Sequence, residues 1–171
     1  MNTATDHSPT PRTDRAGFDA LFDESFERMK RLAFLLGADD PENIAQEAFV
    51  RLHDRWHTLR DAGKAVPYLR RTVVNLSRSR LRHLRVVRRV PRERAAETAS
   101  AESVVVVGHA VRDALARLTR RQRQVVVLRY WLDLDQQSIA DTLGIAVGTV
   151  KATTNHAMAA LRDALAGEDD R

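Results

Sequence analysis

The chain has no cysteine, which excludes a disulfide framework and any thiolate metal site and predicts a reducing, cytoplasmic setting. Lysine is scarce as well: of 28 basic residues only Lys30, Lys64 and Lys151 are not arginine. Aromatic residues make up 5% of the chain, so few rings are available for stacking of any kind. No stretch approaches about 18 consecutive apolar residues, and residues 1–17, MNTATDHSPTPRTDRAG, contain no apolar h-region; neither membrane insertion nor export is expected. The glycines are scattered, with no phosphate-cradling loop among them. Histidines stand at His7, His53, His57, His83, His109 and His156. His53 and His57, four apart on one helix, could share a metal, yet no third ligand stands at a sensible spacing. The residues thus offer no support for an enzyme, a metal site, a cofactor or a small-molecule substrate.

What is present is charge, unevenly placed. The formal net charge is +5 and the sequence pI about 10.3. Between residues 18 and 54 there are nine Asp or Glu against four Lys or Arg, whereas residues 70–94 carry ten Arg and one Glu. Two surfaces of opposite sign point to two different partners, the basic one to nucleic acid. Ten arginines this dense repel one another unless an anion neutralises them, and phosphate is the anion expected.

Apolar periodicity predicts an all-α fold of two small helical domains joined by a flexible linker, the second with a helix-turn-helix. Phe18, Leu21, Phe22, Phe26, Met29, Leu32, Ala33 and Leu36 define a first helix, stopped at Gly37. Asp40 offers an N-cap and Pro41 a first helical position for a second helix, striped by Ile44, Ala48, Phe49, Leu52 and Trp56. After Gly63, a third runs from Pro67 along Leu69, Val73, Leu76, Leu81 and Leu84, densely cationic on its other face. The expected organisation is a disordered tail over 1–17, a first domain over 18–89, a linker over 90–103, a second domain over 104–166 and a tail over 167–171. Val104–Val107 reads as the start of a helix despite its β propensity, since nothing else in the chain could pair with a strand. Thr119 and Gln122 form a capping-box pair ahead of RRQRQVVVLRYW.

The segment DLDQQSIADTLGIAVGTVKATTNHAMAALRDAL carries the helix-turn-helix pattern. Ile139 and Ala140 sit where two helices would cross, Leu143, Gly144 and Ile145 supply the turn, and Val150, Ala157 and Leu161 lock the second helix. Thr149, Lys151, Ala152, Thr153, Asn155 and His156 are then the candidates to meet base edges in a major groove.

Three motifs, in order, resemble the extracytoplasmic-function sigma factors of bacterial RNA polymerase, and more narrowly their actinobacterial sigma-E-like group. DDPENIAQEAFVRLHDRW is similar to the family's polymerase-docking helix, AVPYLRRTVVNLSRSRLRHLR to the segment that reads and melts the minus-ten element, and RRQRQVVVLRYWLDLDQQSIADTLGIAVGTVKATTNHAMAALR to the region that reads the minus-thirty-five element. The resemblance covers roughly residues 18–166. It implies an alternative sigma factor that binds core RNA polymerase and directs initiation at promoter DNA, with an anti-sigma factor as a further candidate partner. It assigns polymerase binding to Asn43, Gln46, Glu47, Val50, Arg51 and Asp54, which unaided would read as an ordinary solvated face. It assigns minus-ten binding to Tyr68, Arg71, Asn75, Ser77, Arg78, Arg80 and Arg82, with Asn75 in a loop before the basic helix. Tyr68, where the family usually has Trp, reads as core or as a stacking platform, as does Trp56.

The recognition helix departs from the family. After Gly148-Thr149-Val150-Lys151 a Ser-Arg pair and a further Arg are usual, whereas this chain has Ala152, Thr153 and His156. Each lost bidentate base contact would weaken discrimination by about 1–3 kcal/mol. Ala146 stands in place of a Pro or Ser near the helix start, and Ser79 in place of an Asp. Two alternatives follow: a stand-alone helix-turn-helix regulator, which leaves the acidic second helix and basic third helix unexplained, and a repurposed sigma-like protein that grips promoters weakly.

Overall fold

A computed structural model describes residues 15–59, 61–87 and 111–166, with side chains through residue 80 in the first part and residue 163 in the second. The expected linker and the Val104–Val107 run lie outside the described residues. Among these residues every regular element is helical.

Helix α1 spans Arg15–Leu35, so residues 15–17, read from sequence as tail, are its first turn. It buries Met29, Leu32 and Ala33 on one stripe and ends at Gly37, whose φ of 89° is the left-handed conformation glycine tolerates best. Ala38 N–H closes the turn by donating to the Ala33 carbonyl at 3.0 Å. Helix α2, Pro41–Trp56, is capped by Asp40, whose carboxylate accepts from the Asn43 amide at 3.2 Å, with Pro41 in the first turn where its missing N–H has no partner to lose. Its inner stripe, Ile44, Ala48, Phe49, Leu52 and Trp56, is buried. Phe18 meets Phe49, His53 and Trp56 edge-on, and Phe22 stacks on Phe26, so four of the chain's five phenylalanines clamp α1 to α2. A 3-10 turn at Ala62–Lys64, capped by Asp61, leads into α3, Ala65–Val87. Pro67 is accommodated in the first turn of α3. Leu69 and Val73 are fully buried where α3 crosses α1 and α2.

In the second half a helical segment at 111–116 precedes α4, Arg120–Val126. The Thr119–Gln122 capping box is present in both directions, at 3.3 and 2.9 Å. A π-helical turn, Val127–Trp131, follows, where sequence periodicity predicts plain α-helix. Asp133, at φ 53°, reverses the chain into α5, Gln136–Leu143, and α6, Val147–Ala166. Asp135 caps α5 through the Ser138 amide and hydroxyl, and these hydrogen bonds hold its carboxyl below the usual carboxylate range. Gly144, at φ 64°, is the left-handed residue that makes the sharp turn of the helix-turn-helix. One tryptophan lies in each half: Trp56 is 3% exposed and Trp131 36%.

Candidate nucleic-acid interface

On α2, Asn43, Gln46, Glu47, Val50, Arg51 and Asp54 recur at three- and four-residue steps, opposite the buried stripe. Val50, Gln46, Arg51 and Asp54 are exposed, and Val50 is among the most exposed large apolar side chains of the described residues. Glu47 sits at the centre of this face. Its carboxylate takes Arg51 Nη2 at 2.6 Å and lies 3.8 Å from Arg80 Nη2 on α3. The acidic face and the basic helix therefore meet at one residue.

Helix α3 is continuous from Ala65 to Val87, so Asn75 stands mid-helix and not in a loop; nothing from Leu69 onward breaks the apolar repeat. Arg71, Asn75 and Arg78 are exposed along one side and Arg80 is half-buried. Ser77 departs from its expected role: it is 2% exposed, facing the core, and its Oγ has no hydrogen-bond partner. It continues the four-residue step of Leu69 and Val73, which is why it points inward. Arg82 belongs to the helix, but its side chain lies outside those described. Tyr68 is half-buried, its hydroxyl donating to the Arg51 carbonyl at 3.4 Å with Arg55 over its ring, while Trp56 is core. Arg70 is half-buried on α3. Burial and the nearby Arg28 lower its pKa, against the opposing pull of Asp135 from α5.

In the helix-turn-helix, Ile139, Ala140, Val150 and Ala157 pack inward and the Ile145 amide closes the turn on the Ala140 carbonyl at 3.1 Å. Thr149, Lys151, Ala152, Asn155 and His156 are exposed, and Thr153 is half-buried. Ala146 precedes α6 with its carbonyl accepting from Thr149 and Val150, but it has no side-chain oxygen with which to cap the helix. Between Thr149 and His156 the outward face of α6 thus carries a single lysine among small and neutral side chains. His53 and His57 are exposed, and among the described residues no three His, Cys, Asp or Glu gather closely enough to hold a metal.

Sequence reasoning missed two arginines. Arg112 Nη2 donates to the Ala38 carbonyl at 3.2 Å, lies 3.8 Å from Asp39 and sits 4.7 Å over the Phe34 ring. Arg123 donates to Leu36 in the first half and to Leu115 and Ala116 in its own. An arginine on a helix looks the same in sequence whether it faces water or a distant carbonyl.

Two family models match: Sigma-70 region 2 over residues 27–87 and Sigma-70, region 4, over residues 108–161. The chain is 36% identical over 134 residues to the RNA polymerase sigma-E factor of Streptomyces coelicolor, covering 76% of this chain and 74% of that one. It is 35% identical over 153 residues to the ECF RNA polymerase sigma factor SigM of Mycobacterium tuberculosis, 86% and 76% of the two chains. Among solved structures it resembles CnrH in complex with the cytosolic domain of CnrY, with TM-score 0.70, 20% identity and 90% of each chain covered. It also resembles the sigma factor RpoE in complex with the anti-sigma factor NepR from Bartonella quintana, with TM-score 0.67, 19% identity and 86% and 96% covered. The helical halves and their order define the class, a sigma-70-type initiation factor with regions 2 and 4. The chain belongs to the extracytoplasmic-function (ECF) family of RNA polymerase sigma factors.

Proposed function

We propose that this alternative sigma factor seats its α2 face on core RNA polymerase, presents α3 to the minus-ten strand and lays α6 in the major groove at the minus-thirty-five element. The observation that carries this is the charge layout: an acidic-polar face centred on Glu47 beside a helix whose Arg71, Asn75 and Arg78 are exposed together. An acidic face suits a basic partner, and a row of guanidiniums suits phosphates. Helix α6 contributes fewer cations than its relatives' motif supplies, so the minus-ten contacts dominate affinity. The chain makes and breaks no bond; its free energy goes into positioning the polymerase and holding strands apart. Among the described residues no helix is long and apolar enough to cross a membrane, which suits a cytoplasmic protein acting on DNA. A structural relative is held by an anti-sigma factor, and a partner of that kind is proposed here too.

Adding the purified protein to sigma-free core polymerase on fragmented genomic DNA tests the reading. New transcript starts sharing two upstream elements are expected; core binding without new starts would favour the repurposed alternative, and no core binding the stand-alone regulator. On one promoter, Arg78→Ala is expected to reduce the slope of log K against log salt by about 1, and an unchanged slope would remove Arg78 from the phosphate contacts.

A further inference from the structure

Helix α6 sets one amide at the centre of its outward side. Gly148, Ala152, Asn155 and Ala159 recur at three- and four-residue steps, all exposed, opposite the side on which Val150 and Ala157 are buried. Asn155 therefore stands between two alanines, one turn away on either side, with no longer side chain on its line. A Cβ at Gly148 would meet nothing in the protein, and its φ is not left-handed, so neither packing nor backbone geometry keeps that position bare. Asparagine is short, and it reaches a base edge only where the helix comes close to the groove floor, an approach that small neighbours permit.

The carboxamide is also uncommitted. Among the described residues the Asn155 side chain has no hydrogen-bond partner, whereas the neighbouring Thr154 hydroxyl already donates to the Val150 carbonyl at 2.8 Å and Thr153 is half-buried. The edges of the base pairs decide what such a group can read. Guanine shows two acceptors in the major groove, which a guanidinium or an ammonium matches; adenine shows one acceptor beside one donor, and a group carrying both matches it. Between Thr149 and His156 no arginine is present, and Lys151 offers donors without an acceptor. Asn155 is the only side chain on that stretch that sets an acceptor and a donor side by side on one plane. Cytosine is best met by a carboxylate, and none stands there.

We infer that Asn155 selects adenine at one position of the upstream element, pairing its carboxamide with N6 and N7, and that Ala152, three residues before it, rests on the methyl group of a neighbouring thymine. The element read by α6 is then anchored by A·T pairs, whereas the arginines usual at positions 153 and 156 would favour guanine. This rests on the proposed placement of α6 in the major groove.

The test uses the full-length chain on core polymerase. Templates are built on one of the mapped transcript starts with the upstream block randomised, and the blocks that yield transcript are sequenced. The unsubstituted protein is expected to prefer adenine at one position by about 20-fold over other bases, beside a thymine preference. Asn155→Ala should erase the preference at that position and leave those elsewhere in place. Asn155→Asp should exchange adenine for cytosine, because a carboxylate accepts from cytosine N4; a folding defect would lower transcription but would not change the base chosen. Thr153→Arg with His156→Arg should add guanine to the selected blocks. A dominant guanine preference in the unsubstituted protein, or an adenine preference that survives Asn155→Ala or Asn155→Asp, overturns the inference. Transcripts without any upstream preference overturn it too, while leaving the sigma reading in place. If no start can be mapped on any template, the sigma reading fails and this inference falls with it.

Discussion

Glu47→Arg is expected to weaken binding to core RNA polymerase by about 30-fold, roughly 2 kcal/mol, the lower end of the range for truncating a paired charge at an interface. The substitution sets a third guanidinium beside Arg51 and Arg80, both of which now lie on the carboxylate. The fold should survive, because the stripe that holds α2 in place, Ile44 to Trp56, faces the other way. Glu47→Gln keeps the shape and loses the charge, and a drop of about fivefold is expected, consistent with an ion pair that solvent partly screens. Surface plasmon resonance against immobilised core polymerase, with circular dichroism to verify folding, measures both. If the reversal binds as tightly as the unchanged protein, the docking face is not this side of α2, and Gln46, Val50 and Asp54 lose their proposed role with it.

The second large effect is in the core. Leu69→Ala should destabilise the first half by about 3 kcal/mol, since the side chain is fully buried where α3 crosses α1 and α2 and its removal leaves a cavity. With an urea dependence of about 2 kcal/mol per M, the midpoint of helix loss would fall by about 1.5 M. Leu69→Met, which conserves volume, should cost less than about 1.5 kcal/mol. Equal losses for the two would mean that filling the space matters less there than the buried position indicates.

Much of this molecule was legible in its sequence because its helices announce themselves locally. Asp40-Pro41, Gly37, Gly144 and the Thr119–Gln122 pair all work within one turn of chain, and each stands at a helix end in the structure. The buried stripes followed from spacing at Met29, Leu32 and Ala33, at Ile44 through Trp56 and at Leu69 and Val73, whereas Phe22, expected on the first of them, is exposed. Ser77 shows where resemblance misled: it carried Ser77 over as a DNA contact together with its neighbours, although the step from Leu69 through Val73 already put it inside. Asn75 was assigned to a loop by resemblance, while the residues around it never interrupt the helix. The contact between halves had no local signal. Arg112 and Arg123 bind groups 74 and 87 residues away, and nothing in periodicity or capping reports on such pairs.

The placement of one tryptophan in each half gives the protein its own optical readout. Trp56, sealed among Phe18 and its neighbours, should emit toward the blue and resist iodide, whereas Trp131, at the end of the π-helical turn, should emit further to the red and be quenched by it. With no other indole in the chain, the two fluorescence components report region 2 and region 4 separately, so the order in which the halves melt can be followed on unlabelled protein.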